Sequence, residues 1–163
     1  FQYFNYNKVK GLIAALIIIP VVFFSAYQTS TMFKERMDRA YYNITNYSEQ
    51  KGTSVGLRIS FTINSSEIIK QNPFIGVGTG DFPDEYKKIS LVNTPSLPQT
   101  TNPHNMYILV LVQFGLLGLV SLMSIFYYQM KFSFYASNNF FRNVGFTLPA
   151  IFLVIMLIEC FRP

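Results

Sequence analysis

Three long apolar segments place the strongest constraint on how this chain can fold. They cover residues 11–28, 106–130 and 144–161, and the first two contain no charged side chain. A helix rises about 1.5 Å per residue, so roughly 20 apolar residues cross the ~30 Å hydrocarbon layer of a bilayer. The sequence therefore predicts an all-α polytopic membrane protein with about three transmembrane helices.

The composition agrees with this class. Half of the residues are hydrophobic, 17% are aromatic and only 13% are charged, with a mean hydropathy of +0.27. These values exclude an intrinsically disordered chain and a charged coiled coil. The net charge of +5 does not indicate nucleic acid as a partner, because the basic residues form no cluster and no reader motif is recognisable.

Basic residues in the short flanks predict the orientation. The flank 1–10 and the link 131–143 each contain two basic residues and no acidic one. By the positive-inside rule both are cytoplasmic, which places the loop 29–105 on the outer face of the membrane. The chain begins without methionine and ends just after an apolar segment, so we expect it to be a piece of a longer membrane protein.

An amphipathic helix is predicted inside the outer loop, over about residues 55–71, with Thr53 or Ser54 as its N-cap. Such a helix beside a membrane lies at the interface, which would bring Arg58 near the headgroups. A solvated arginine on the polar face is the alternative. The predicted apolar face contains Leu57, Phe61, Ile68 and Ile69, and the polar side contains Arg58, Thr62, Ser65 and Glu67.

Three glycines follow this helix at alternate positions, Gly76, Gly78 and Gly80. The pattern is GxGxG and lacks the strand and the βαβ unit of a dinucleotide-binding site, so that function is rejected. The glycines favour either a tight turn or a close approach of backbone amides to a ligand.

The segment before the second apolar run contains His104, the only histidine of the chain. Asn102 is predicted to be the N-cap and Pro103 the first helical residue, which would place His104 in the first helical turn. Free N–H groups at a helix N-terminus favour an anion and disfavour imidazolium, so a neutral proton acceptor is expected there. An interfacial histidine without a role is the alternative.

The sequence lacks the residues that a zinc site or a serine nucleophile needs. One histidine and one cysteine, without a carboxylate cluster beside either, cannot form a usual zinc site. The strand–turn–helix context of a nucleophilic serine is also missing from the predicted elements. We therefore expect neither a metal nor a cofactor.

Four short motifs, taken together, resemble the O-antigen ligase and polymerase family over roughly residues 50–125. Their order and spacing between the predicted spans make the resemblance fairly specific. The motifs are Gly56-Leu57-Arg58, the segment 72–82 (NPFIGVGTGDF), Pro103-His104-Asn105 and the segment 113–118 (QFGLLG).

This resemblance implies a glycosyltransferase of the bacterial inner membrane with its active loop on the periplasmic side. Such enzymes move a glycan from an undecaprenyl-diphosphate-linked donor to an acceptor sugar. The acceptor is the lipid A core for ligases and another repeat unit for polymerases, while relatives build other surface polysaccharides or glycosylate pilins. Membrane lipid is the remaining implied partner. A non-enzymatic structural or transport subunit is the alternative from another class.

The family's catalytic loop residues carry over onto Arg58 and His104. Arg58 would neutralise the diphosphate leaving group, and neutral His104 would act as general base on the acceptor hydroxyl or orient it. A further arginine of the family lies in an earlier part of its chain and is not present here, so the fragment alone is expected to be inactive. Further substrate contacts are expected from Arg58 itself and from Gly76, Gly78, Gly80 and Asn105.

Overall fold

The computed structural model describes the backbone of residues 2–158, and the side chains of residues 16–157 and of 10, 13 and 14. Within 2–158 the chain forms helices and no strand, which confirms the all-α class. The last three residues of the predicted span 144–161 lie outside the described residues. The helices are α1 (Gln2–Thr29), α2 (Thr31–Thr45), α3 (Ser54–Gln71), α4 (Phe82–Asn93), α5 (Met106–Phe134) and α6 (Asn139–Ile158).

Two helical segments in the described part of the chain are long and apolar enough to cross a membrane, Met106–Phe134 and Asn139–Leu157. A third crossing is added if the bent pair Leu16–Thr29 and Thr31–Thr45, whose halves meet at 104°, counts as one span. The chain is therefore a multi-pass membrane protein with two or three candidate spans, compared with about three predicted.

The first compact unit, residues 1–50, contains α1 and α2. The rings of Phe23 and Phe33 pack edge to face with centroids 5.3 Å apart. The Tyr27 hydroxyl donates to Asp38 Oδ1 at 2.6 Å. These two contacts join the end of α1 to the start and the middle of α2 across the bend.

The second unit, residues 51–163, packs α3, α4 and the first part of α5 around a small core. Within it the Tyr86 ring packs edge to face on Phe61 and stacks on Phe82, with centroids 5.9 and 5.5 Å apart. Full burial of such a side chain stabilises the fold by about 1.5–3 kcal/mol. The buried apolar residues of this core are Phe61, Ile68, Phe82, Tyr86 and Val112.

The buried side of α3 differs from the predicted apolar face. Thr53 is the N-cap, and its Oγ1 accepts the N–H of the third helical residue at 3.1 Å. Phe61 and Ile68 are buried, but so are Asn64 and Ser65, and Ser65 was predicted on the polar side. That part of the prediction is wrong because α4 and α5 both pack on α3 and cover more of its surface than the predicted apolar face.

Hydrogen bonds allow polar side chains to be buried between α3 and α4. Asn64 Nδ2 donates to the Tyr86 hydroxyl at 3.2 Å and to Thr94 Oγ1 at 2.9 Å. The Ser90 hydroxyl donates to Gln99 Oε1 at 2.7 Å and connects α4 to the following loop. A buried polar group without a partner costs about 1–3 kcal/mol, so these contacts fix how the two helices face each other.

α5 is interrupted at Gly115, whose φ of 62° and ψ of −161° are not helical. In a continuous helix the amides of Leu116 and Leu117 would donate to the carbonyls four residues earlier. The loop 73–78 takes over these donors and acceptors instead. Its four bonds run from Leu116 N–H to Pro73 O (2.8 Å), Leu117 N–H to Phe74 O (3.2 Å), Val77 N–H to Val112 O (2.8 Å) and Gly78 N–H to Gln113 O (3.0 Å).

Two glycines permit the backbones to cross this closely. A Cβ on Gly115 would lie 2.3 Å from the carbonyl carbon of Phe74, and a Cβ on Gly76 would lie 2.5 Å from that of Gln113. Both glycines also have positive φ, which side chains disfavour. We call the two paired stretches, 73–78 and 112–117, the Gly76–Gly115 crossing.

The interruption changes the direction of α5. The Tyr107 hydroxyl donates to Leu153 O of α6 at 2.8 Å. If α5 were straight, Tyr107 would lie about 40 Å from the turn between α5 and α6. Leu153, to which it is hydrogen-bonded, lies only about 21 Å along α6 from that turn. The two residues can therefore meet only if α5 changes direction. The sequence predicts a transmembrane helix over residues 106–130. In the structure the part of α5 after the interruption, residues 116–134, is about 28 Å long, which is sufficient for a ~30 Å layer.

Candidate functional site

His104 lies in the turn before α5 and not within the helix. α5 begins at Met106 with Asn105 as its N-cap, so the prediction that Asn102 caps the helix and His104 occupies its first turn is wrong. Asn102 Oδ1 instead accepts the N–H of His104 at 2.8 Å. Among the described residues His104 is the one non-glycine with positive φ, 59°, a conformation that costs about 1–2 kcal/mol.

The imidazole of His104 packs against a ring of α3. Its centroid is 5.6 Å from that of Phe61, and the ring planes are inclined by 32°. Nδ1 is buried and has no hydrogen-bond partner among the described residues. Buried polar atoms are rarely left unpaired in folded proteins, so Nδ1 is an exception, as is Ser65 Oγ.

Two effects lower the pKa of His104 below its ordinary value of 6.5. The larger is burial, which disfavours the charged ring, and the second is the positive charge of Arg58. The sequence argument attributed a neutral histidine to the helix N-terminus, but burial and Arg58 are the causes in the structure. The imidazole is therefore neutral at pH 7 and able to accept a proton.

Arg58 lies in the second turn of α3, and its side chain is exposed. Phe61 follows three residues later on the same side of the helix, and Phe61 contacts His104. The structure thus brings the two residues predicted as catalytic to one place, where the charge of one acts on the other. Their catalytic roles stay predictions.

Asn105 has a structural task at this position. Its Oδ1 accepts the N–H groups of Tyr107 and Ile108 at 3.0 and 3.2 Å, which is the N-cap arrangement of α5. The oxygen of its side chain is thereby engaged within the protein. Contact between Asn105 and substrate stays a prediction.

The glycine loop makes turns, as one of the two interpretations of the sequence has it. Gly76, Gly78 and Gly80 all have positive φ. The N–H of Gly76 is bonded to Asn72 O at 3.1 Å and that of Gly78 to Gln113 O at 3.0 Å. These two amides are therefore used within the fold, while Gly80 is exposed. Substrate contact by the three glycines stays a prediction.

Within residues 2–158 no group of three or more His, Cys, Asp or Glu side chains is arranged to hold a metal ion. The candidate site consists of Arg58, neutral His104 and the Phe61 ring that packs on the imidazole.

Sequence reasoning missed two features of this site. Phe61 was expected only on an apolar helix face, and no local pattern pairs it with His104, which is far away in the sequence. Gly115 was noted only as part of the 113–118 motif. The sequence signal for the interruption of α5 is a glycine in the middle of an apolar segment, because glycine is unfavourable in the interior of a helix.

The fold and the site together define a class. Within residues 2–158 the chain is all-helical, has two or three candidate spans, and holds a neutral histidine beside an exposed arginine outside the straight apolar helices. These features describe a multi-pass membrane protein with a polar site.

A protein-family model described as O-antigen ligase matches residues 1–123, about three quarters of the chain. The chain therefore belongs to the O-antigen ligase family. The match includes both Arg58 and His104 as well as the Gly76–Gly115 crossing. A search of curated proteins returned no match. Membership of this family indicates a glycosyltransferase-like enzyme of ligase or polymerase type that acts in polysaccharide synthesis.

Proposed function

We propose that this chain acts in the transfer of a glycan from an undecaprenyl-diphosphate-linked donor to a sugar hydroxyl of the lipid A core. The observation that carries the proposal is the neutral imidazole of His104 beside the exposed guanidinium of Arg58. A hydroxyl acceptor needs a base, and a diphosphate leaving group needs a cation. The family membership supports a transfer reaction in polysaccharide synthesis.

His104 is the proton acceptor in this scheme. The acceptor hydroxyl oxygen forms a bond to the anomeric carbon of the donor glycan while the bond from that carbon to the diphosphate oxygen breaks. The hydroxyl proton passes to the imidazole, and the electron pair leaves with undecaprenyl diphosphate. Direct displacement of this kind inverts the anomeric centre. A base whose pKa lies below the working pH is in the correct protonation state before the reaction.

Arg58 neutralises the leaving group. A guanidinium presents paired N–H donors that match two phosphate oxygens, and its charge opposes the charge that develops as the bond to the anomeric carbon breaks. Within the described part of the chain no carboxylate forms an ion pair with Arg58, so its donors are available to an anion.

The location of the reaction follows from charge and chemistry. Undecaprenyl-diphosphate-linked glycans are presented at the periplasmic face of the bacterial inner membrane. The two basic residues of the link 131–143 favour a cytoplasmic turn between α5 and α6. We place the loop that carries Arg58 and His104 on the periplasmic side of the inner membrane.

The test replaces His104 with Ala and with Gln in the full-length protein in its native host. Loss of general-base catalysis is expected to reduce transfer by about 100-fold or more. The measurement is a gel of extracted lipopolysaccharide beside an assay of carrier-linked glycan. Bare core together with long glycan held on the carrier supports a ligase.

Two other results are informative. Core with single repeats would indicate a polymerase of the same family, with another repeat unit as acceptor. Thr62→Ala, an exposed substitution on α3, serves as the control and should leave the ladder unchanged. A wild-type ladder from both His104 variants would contradict the proposal.

A further inference from the structure

Two helical segments lead from the Gly76–Gly115 crossing to the candidate site. α3 ends immediately before the crossing and contains Arg58 and Phe61 towards its beginning. The first part of α5 starts beside His104 and reaches the crossing at residue 112. The two segments also pack on each other between these points, and Phe61, in the first half of α3, has its ring 5.6 Å from that of His104. Both helical segments that position the site residues are therefore joined to each other at the Gly76–Gly115 crossing.

We propose that Gly76 and Gly115 are positioning residues for glycan transfer, because their close backbone crossing sets where His104 lies relative to Arg58. The inference rests on the proposed function and extends it to residues that touch neither donor nor acceptor.

The crossing has one hydrogen-bonded register. Four backbone bonds of 2.8 to 3.2 Å replace the two that a continuous α5 would make. Sliding 73–78 by one residue along α5 would break all four together. The position of the end of α3 relative to residues 112–117 is thereby fixed, and the helices transmit that position to Phe61 and His104.

A single added carbon would disturb this register. The atoms closest to a Cβ on either glycine belong to backbone, at 2.3 Å for Gly115 and 2.5 Å for Gly76. Ordinary contact between carbon atoms begins near 3.4 Å, so the two backbones must separate by about 1 Å. No flexible side chain is available to absorb the change at these positions. A displacement of that size at a reacting group can cost about 100-fold in rate.

The experiment compares Gly115→Ala and Gly76→Ala with Gly52→Ala in the full-length protein in lipid nanodiscs. Gly52 is exposed, and nothing lies within 4 Å of the position of an added Cβ, so it is the matched control. The first measurement is the NMR titration of ¹³C-labelled histidine, purified with a tag that contains no histidine. The His104 signal is assigned by its absence in His104→Gln. The second is kcat and KM for the carrier-linked donor.

The expected result has two parts. In both crossing variants the pKa of His104 rises towards 6.5, because the ring becomes less buried and lies farther from Arg58. Their kcat falls by about 100-fold, while KM for the donor changes little, since Arg58 still binds the diphosphate. Gly52→Ala titrates and turns over as wild type.

Failure of the inference differs from failure of the proposed function. If His104→Gln is inactive while both crossing variants titrate and turn over as wild type, the inference is overturned and the function stands. If His104→Gln keeps wild-type transfer, the function is overturned and the positioning role with it. If the alanine variants aggregate, Val77→Ala, which loses the side chain but keeps the bond to Val112 O, is compared with Val77→Pro, which also loses that bond and places its ring Cδ against the same oxygen. A titration of Val77→Pro identical to that of Val77→Ala would overturn the inference.

Discussion

At the scale of single residues, the site depends on an imidazole that stays neutral in the presence of a cation. His104 is partly buried against Phe61, and the nearby charge of Arg58 adds to the effect of burial. Arg58 thus has two effects that experiments can separate. Its paired donors suit a diphosphate, and its positive charge lowers the pKa of the proposed base.

The first residue-scale prediction concerns the pH profile. The neutral form of His104 is the active one, so kcat/KM should fall as the pH drops through a pKa that lies below 6.5. Arg58→Gln removes a positive charge that lowers this pKa, so the acid limb should move up towards 6.5. It should not reach 6.5, because burial, the larger cause, remains. The measurement is kcat/KM against pH with a defined carrier-linked donor.

Arg58→Lys is the matched control for this experiment. It keeps the charge but loses the paired donors, so transfer should fall while the acid limb stays in place. An acid limb that is identical in wild type and in Arg58→Gln would show that the charge of Arg58 does not act on the base.

At the scale of the elements, α3 shows how polar residues can hold a helix in a core. Local signals were sufficient to predict a helix over about residues 55–71 with Thr53 or Ser54 as its N-cap, because a cap and a following Asn-Pro are readable from the sequence. They did not predict which side would be buried. Asn64 is buried because α4 packs on that side, where Tyr86 of α4 and Thr94, the residue after α4, accept its hydrogen bonds.

The prediction at this scale concerns Asn64. Asn64→Ala should destabilise the protein by about 1–3 kcal/mol, because Tyr86 and Thr94 lose a buried hydrogen-bond donor. Thr62→Ala, on the exposed side of the same helix, should change stability by less than about 0.5 kcal/mol. Thermal unfolding in detergent compares the two variants. Equal midpoints would mean that the Asn64 contacts do not hold α3 to α4.

At the scale of the whole molecule, the interruption divides α5 into two parts with different roles. Residues 106–114 support the site, and residues 116–134 supply a straight apolar length suited to the bilayer. Irregular backbone within a membrane needs partners from protein, and the loop 73–78 supplies them for four backbone groups at the break.

Impermeant maleimide labelling tests the orientation. In a Cys160→Ser background, Ser96→Cys should react from the periplasmic side and Ser137→Cys only from the cytoplasmic side. Both positions are exposed in turns that flank α5. Val120→Cys, in the straight part of α5, should not react from either side. Labelling of positions 96 and 137 from the same side would mean that α5 does not cross the membrane.

The sequence by itself determined the all-α class, the apolar helices, and the residue types suited to the chemistry, because these depend on local periodicity, segment length and side-chain chemistry. It also predicted a neutral His104, although burial and Arg58 proved to be the reasons rather than a helix N-terminus. Only the tertiary structure decided that Phe61 contacts His104 and that the backbone around Gly76 pairs with the backbone around Gly115. Those pairs are distant in the sequence and are brought together by packing and by backbone hydrogen bonds, for which a local pattern carries no signal.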